Sequence, residues 1–206
     1  YGGYLAKKKG AARQEFGTFG DCSGMRILMA AMDLNYDGGT LALVHAAEAM
    51  SACGDRVTIA APAANEKLLK EVLRLPVKVC LMPWLRYLKR EQMDWMHVYD
   101  ACIVNVYPNG AFAIEASQCV PTLWWMHEAS NRFCSIYRDI QQEFPELLRE
   151  ENFSRLRIAA VSEQAKANFE HYYPGRVDAI MPYCLPDSGQ DGIDEPQERV
   201  TFAIIG

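Results

Sequence analysis

Two stretches of this 206-residue chain carry residue types that can do chemistry. In "TLWWMHEASNRF" (122–133), His127 and Glu128 follow directly on an apolar run, where a polar pair is costly unless it is satisfied or used. A histidine there can hydrogen-bond a ligand hydroxyl or exchange a proton near neutral pH; it can equally cap the next helix or bond a backbone carbonyl. In "RILMAAMDLNYDGGTLALVHAAEAM" (26–50), Gly38-Gly39 join an apolar run to a helix starting near Thr40. The amides and positive dipole end of such a helix can face an anion such as a phosphate, and glycines let backbone approach closely. The need to turn the chain explains the same glycines without any ligand.

Weaker candidates lie at two further junctions. "NVYPNGAF" (105–112) offers Asn105, Tyr107 and Asn109 as a polar rim, although turn chemistry alone accounts for its Pro, Asn and Gly. Ser162 in "AVSEQAK" stands where a strand meets a helix, as an N-cap or as part of a cleft wall, with Glu163 suited to the first turn. Trp124 and Trp125, as adjacent strand residues, face opposite layers and read as core rather than as a platform for a ring.

Several chemistries are excluded by spacing. H-E-x-x-H needs a histidine where Asn131 stands, so a zinc motif is absent. No G-x-G-x-x-G follows the first strand, no acidic residue ends the second ("TIAAPAAN"), and no G-x-x-x-x-G-K-[ST] loop occurs. There is no G-x-S-x-G elbow, and Ser23 in "GDCSG" precedes the first strand, so serine hydrolysis has no support. The net charge of -5 argues against a nucleic-acid partner. Seven cysteines without a C-x-x-C pair read as reduced thiols in a cytoplasmic protein. No apolar run has the length of a membrane span. The basic-aromatic segment "WLRYLKREQM", Trp84 to Arg90 and beyond, reads either as a helix docked on its own core or as a peripheral contact with the inner face of a membrane.

These residues must be held by elements. Continuous apolar runs at 26–32, 56–61, 77–82, 101–106, 122–126, 157–161 and 177–180 suit strands buried on both faces. Between them, Leu43, Ala47 and Met50, then Phe133, Ile136, Tyr137, Ile140 and Phe144, then Ala165, Phe169 and Tyr172 follow helical spacing. Gly54 and Pro174-Gly175 read as helix stops. Strand and helix alternating in this way predict an α/β fold with a doubly wound, mostly parallel sheet, whose ligands sit at the carboxyl ends of the strands. Residues 1–24 read as an N-terminal arm that adds little to the core, 25–186 as one Rossmann-like domain, and 187–206 as an acidic linker followed by the first strand of a further domain.

Four segments, in order, carry a family resemblance: "MRILMAAMDLNYDGGTLALVHAAEAMSACGDRVTIAAP", "DACIVNVYPNGAFAIEASQCVPTLWWMHEA", "LRIAAVSEQAKANFEHYYPGRVDAIMPYCL" and "VTFAIIG". Together they resemble the N-terminal, acceptor-side half of GT-B glycosyltransferases of the family 4 (group 1) type over residues 25–206. The resemblance implies that Gly38 and Gly39 lie beside the donor diphosphate, that His127 contacts the donor sugar and the reaction centre, and that Ser162 stands at the cleft wall; by position in the sequence, Thr40 joins the glycines, and Glu128, Asn105, Tyr107 and Asn109 join the cleft candidates. It further implies a nucleotide-diphosphate sugar as substrate, no tightly bound cofactor and no metal, a glycan or lipid-linked acceptor, and retention of configuration. Polysaccharide assembly would be the setting. A C-terminal Rossmann-like domain beyond Gly206 would hold most nucleotide contacts. The chain departs from the family at Gly54-Asp55-Arg56-Val57, where Gly-His-Glu-Val is common, and at Pro182-Tyr183-Cys184, where Pro-Asn-Gly is usual. Two other readings stand beside this one: a non-catalytic Rossmann-like domain for an anion or nucleotide, and half of a sugar-nucleotide 2-epimerase.

Overall fold

A computed structural model describes residues 13–20, 23–145 and 149–183. Eight strands form one sheet: β1 (Gln14–Phe16), β2 (Arg26–Ala30), β3 (Arg56–Ala61), β4 (Lys78–Leu81), β5 (Ala101–Asn105), β6 (Thr122–Met126), β7 (Leu156–Ala160) and β8 (Ala179–Ile180). Their spatial order is β1-β4-β3-β2-β5-β6-β7-β8, and every pair is parallel except β1 with β4. Five α-helices connect them: α1 (Gly38–Ala52), α2 (Glu66–Val72), α3 (Gly110–Ser117), α4 (Phe133–Glu143) and α5 (Glu163–Glu170).

The apolar runs become strands because both faces of the sheet are covered. Alternate residues of β2 divide between two cores, Leu28 and Ala30 on one side, Ile27 and Met29 on the other. Ala42, Leu43 and Ala47 of α1 and Leu68 and Val72 of α2 fill the second side; Phe112, Ile140 and Phe169 of α3, α4 and α5 fill the first. Each fully buried leucine such as Leu43 contributes about 1.5–3 kcal/mol. Trp124 and Trp125 are both buried and enter opposite layers, as their adjacency requires. Gly54 follows the C-cap of α1 at φ +94°, a conformation that favours glycine.

Two elements differ from the sequence expectation. The stretch before Arg26 does contribute to the sheet: Gln14–Phe16 adds an antiparallel edge, and Phe16 packs on the core. A three-residue strand in a Gly-rich polar stretch has no periodicity to betray it; it forms because an edge strand offers its backbone groups to any extended neighbour. Residues 84–98 form three 3₁₀ turns (Leu85–Tyr87, Arg90–Gln92, Asp94–Val98) instead of one amphipathic helix. The strand expected within 187–206 lies outside the described residues.

Candidate functional site

The chain runs from β2 outward to β3 and β4, then returns to place β5 on the other side of β2. That reversal opens a crevice at the carboxyl ends of β2 and β5, the usual ligand position of a doubly wound sheet. The loops after β2, β5 and β6 meet there.

Asp37 opens α1. Its carboxylate accepts the Thr40 amide at 2.9 Å. The Thr40 hydroxyl, 2.8 Å from Asp37 Oδ2 and 3.0 Å from the Asp33 carbonyl, donates to one of them. This changes the expectation for Thr40: buried and with its amide taken, it braces the turn from inside and offers no free donor. Among the described residues the amides of Gly38 and Gly39, the first two of the helix, have no partner. The two glycines differ in their surroundings. A Cβ on Gly38 would meet nothing within 4 Å, whereas one on Gly39 would lie 3.1 Å from Val106 Cγ1.

Val106 follows β5 with φ +64° and ψ 154°, a region that a β-branched residue occupies only under strain of about 1–3 kcal/mol. Its neighbours over-determine it. Val106 donates its amide to the Trp125 carbonyl (2.9 Å), its carbonyl accepts Trp124 Nε1 (2.9 Å), and the next amide, of Tyr107, is accepted by Glu128 Oε1 at 2.7 Å. Asn105, just before it, donates Nδ2 to the Gly39 carbonyl at 2.8 Å. The strained residue is thus pinned between the glycine turn and the His-Glu loop.

Glu128 also accepts the His127 amide, at 3.1 Å through Oε2. Burial pushes its carboxyl up to about 7, against the pull of these backbone donors. His127 lies edge-on to Trp125, with ring centroids 4.4 Å apart, and beside Tyr183 at 6.1 Å. Burial depresses its pKa to about 4, and the Asp37 carboxylate opposes that shift, so His127 stands within electrostatic reach of the start of α1. Its Nε2 is buried and has no hydrogen-bond partner among the described residues. A neutral imidazole with one open nitrogen can hydrogen-bond a ligand but carries no charge at pH 7.

The remaining candidates separate. Ser162 caps α5, accepting the Ala165 amide at 3.2 Å, and sits at the end of β7, where Val161 bonds the Met126 carbonyl. Asn105 and Asn109 are buried, linked by Asn109 Nδ2 donating to the Asn105 carbonyl at 3.0 Å. Tyr107 is corrected from rim to core: its side chain is fully buried, stacked on Trp124 and edge-on to Phe133 and Phe169, with its hydroxyl against Tyr173. It serves the site through its backbone amide alone. Spacing did not single out Asp37, although D-G-G-T is a legible N-cap pattern, nor Asn168, whose Nδ2 is within reach of the Glu128 and Ser130 carbonyls at 3.0 and 3.1 Å. No group of three or more His, Cys, Asp or Glu side chains could hold a metal among the described residues. In the segment after Trp84, Leu85 and Leu88 turn into the core, while Arg86 pairs with Glu143 and Lys89 with Glu115. Among the described residues no helix is long and apolar enough to cross a membrane.

The fold is therefore a Rossmann-like α/β domain with its crevice at the β2/β5 reversal. Among solved structures, the chain is similar to that of Alr3699/HepE from Anabaena in complex with UDP and glucose, with a TM-score of 0.54 and 17% identity. The similarity covers 79% of this chain and 45% of that one, so the chain spans less than half the length of the structure it matches. No protein-family model matches the chain, and comparison with curated proteins gives no match.

Proposed function

We propose that this chain is the N-terminal, acceptor-side domain of a retaining, nucleotide-sugar-dependent glycosyltransferase of the GT-B type, group 1. The observation that carries the reading is that two unpartnered amides, Gly38 and Gly39, follow the carboxyl end of β2 and the open Nε2 of His127 follows that of β6, with Asp37 of the glycine turn within electrostatic reach of the imidazole. The fold likeness to a structure that contains UDP and glucose supports the same class of ligand.

The chemistry follows from the residues. A sugar leaving its diphosphate builds negative charge on the phosphate, which amides at the start of α1 stabilise without reorganising. His127, neutral at pH 7, orients a sugar hydroxyl through Nε2 and delivers no proton. Glu128 holds the His127 backbone and the strained turn in one geometry. Ser162 and Asn105 are structural parts of the cleft wall. Transfer requires a second Rossmann-like domain, which supplies the nucleoside contacts and closes over the crevice to exclude water. The donor is used without a resident cofactor, and the acceptor is a glycan or a lipid-linked saccharide, with assembly of a polysaccharide as the setting. Membrane contact through Trp84 to Arg90 is not part of this reading, because the apolar side chains of that segment face inward.

The test uses the longer polypeptide that contains this domain, assayed for nucleotide release from a set of UDP-sugars with product stereochemistry read by NMR. His127→Ala is expected to lower kcat at least 100-fold with an unchanged melting temperature. Turnover close to wild type refutes the role of His127, an epimerised donor without transfer refutes the class, and transfer by this domain alone refutes the need for a second one.

A further inference from the structure

The nitrogen through which His127 would hold a ligand is shut off. Nε2 is buried and has no hydrogen-bond partner among the described residues, although the residue as a whole is only half-buried. A polar atom that reaches neither water nor a protein partner costs free energy, so its presence in a folded chain calls for a reason. A ligand can use this nitrogen only after a neighbouring group moves aside.

Two aromatic rings lie against the imidazole. Trp125 is edge-on to it, with ring centroids 4.4 Å apart, and Tyr183 lies near-parallel, 28° from its plane, at 6.1 Å. They differ in how firmly they are held. Trp125 is 3% exposed, belongs to the core layer of α1 and α2, and donates Nε1 to the Met181 carbonyl at 2.9 Å. Moving it opens the core. Tyr183 is 43% exposed, and neither its amide nor its hydroxyl has a hydrogen-bond partner among the described residues.

The chain is anchored just before this tyrosine. Met181 donates its amide to the Ala160 carbonyl at 2.7 Å, and its own carbonyl takes the Trp125 indole. Past that double tie comes Pro182, which has no amide to donate, and then Tyr183. The ring therefore stands on a fixed base, and its one ring contact among the described residues is with His127. Breaking such a stack changes an equilibrium constant by about two- to tenfold, little enough to be exchanged for a ligand contact. Tyr183 also occupies a position where the family that the chain resembles usually has Asn, so the ring belongs to this sequence and not to the fold as such.

We propose that Tyr183 is a displaceable cover on His127, a positioning residue that closes Nε2 to water until a sugar hydroxyl takes the place of the cover. The proposal rests on the reading of His127 as a ligand contact. Closure lowers the apparent affinity by the fraction of the domain in which the imidazole is uncovered.

Tyr183→Ala and Tyr183→Phe test it. In the whole chain the His127 pKa is followed by NMR, its signal being the one of the four histidines that is missing from His127→Ala. Burial holds that pKa at about 4, and the Asp37 carboxylate is present in every variant, so a change reports the cover. Tyr183→Ala is expected to raise it toward 6.5 with an unchanged melting temperature, and Tyr183→Phe, which keeps the ring, to leave it at the wild-type value. In the longer polypeptide, Tyr183→Ala is expected to lower KM for the UDP-sugar that it uses about two- to tenfold with kcat little changed, while Tyr183→Phe matches wild type. A His127 pKa unmoved in Tyr183→Ala overturns the proposal. So does a raised KM, which makes Tyr183 a contact of the ligand instead of a cover. The titration needs no ligand and fails or succeeds apart from the proposed function, whose own failure shows as wild-type turnover in His127→Ala.

Discussion

Asn105 donates its side-chain amide to the carbonyl of Gly39 across 2.8 Å, tying the end of β5 to the first turn of α1. The bond is part-buried, and its loss removes a tie between the two elements while the Asn105 side chain itself stays buried. Asn105→Asp, which sets a carboxylate against that carbonyl, is expected to destabilise by about 3 kcal/mol, and Asn105→Ala by about 1–2 kcal/mol. Gly39→Ala drives a methyl to 3.1 Å from Val106 and is expected to cost about 1–2 kcal/mol, while Gly38→Ala, facing open space, changes stability by under about 0.5 kcal/mol. Urea unfolding of the four variants checks the ranking; equal effects at the two glycines contradict the close approach at Gly39.

Val106 gives an inverted ranking. Removing a half-buried valine side chain ordinarily destabilises, and glycine is ordinarily worse than alanine by about 0.5–1 kcal/mol. At φ +64° alanine keeps the strain that glycine relieves. Val106→Gly is therefore expected to be more stable than Val106→Ala in thermal denaturation. The usual order, alanine above glycine, would mean that the turn is unstrained.

The sheet was legible because its strands are buried on both faces, which leaves unbroken apolar runs such as Arg56–Ala61 and Thr122–Met126 whose bounds the structure reproduces. The edge strand Gln14–Phe16 was not legible, because backbone pairing leaves no side-chain pattern. At the site, His127, Glu128 and the glycines could be found from polar residues beside apolar runs. Val106 could not, since an apolar residue after a strand gives no sign of its dihedral angles. Tyr107 was misjudged for a related reason. A tyrosine in a Pro-Asn-Gly turn suggests a surface, yet here five aromatic residues, Trp124, Phe133, Tyr137, Phe169 and Tyr173, draw the ring inward.

His127 and Glu128 make opposite contributions to stability as pH changes. His127 titrates near 6.5 unfolded and about 4 folded, so the unfolded chain binds more protons between these values, and its contribution is lost as pH falls through that window. Glu128 titrates near 4.5 unfolded and about 7 folded, so its contribution is present below 4.5 and lost as pH rises to 7. Each amounts to about 3 kcal/mol at most, and between roughly pH 4.5 and 6.5 the two slopes cancel. Substitution uncovers them. The stability difference between wild type and His127→Phe is expected to grow with pH across 4–6.5, and that between wild type and Glu128→Gln to shrink with pH across 4.5–7. Urea melts at half-unit pH steps read both, and a difference that is flat with pH counts against burial of the group concerned.

Asp37 presents a conflict within the proposed site. Its carboxylate caps α1, worth about 1 kcal/mol, yet it sets a negative charge beside the Gly38 and Gly39 amides where a donor phosphate would lie. It also raises the His127 pKa toward neutrality. Asn caps a helix as well as Asp does, so Asp37→Asn keeps the hydrogen bond to the Thr40 amide and removes the charge, while the Thr40 hydroxyl donates to the Asp33 carbonyl and accepts from the new amide. Three results are expected together: a melting temperature within a few degrees of wild type, a His127 pKa by NMR titration shifted further down, and nucleotide-diphosphate affinity of the longer polypeptide raised several-fold at low salt. The gain should fade as salt screens the carboxylate. An unchanged His127 pKa would separate the loop after β6 from the start of α1, and with it the crevice in which the two free amides and the imidazole meet.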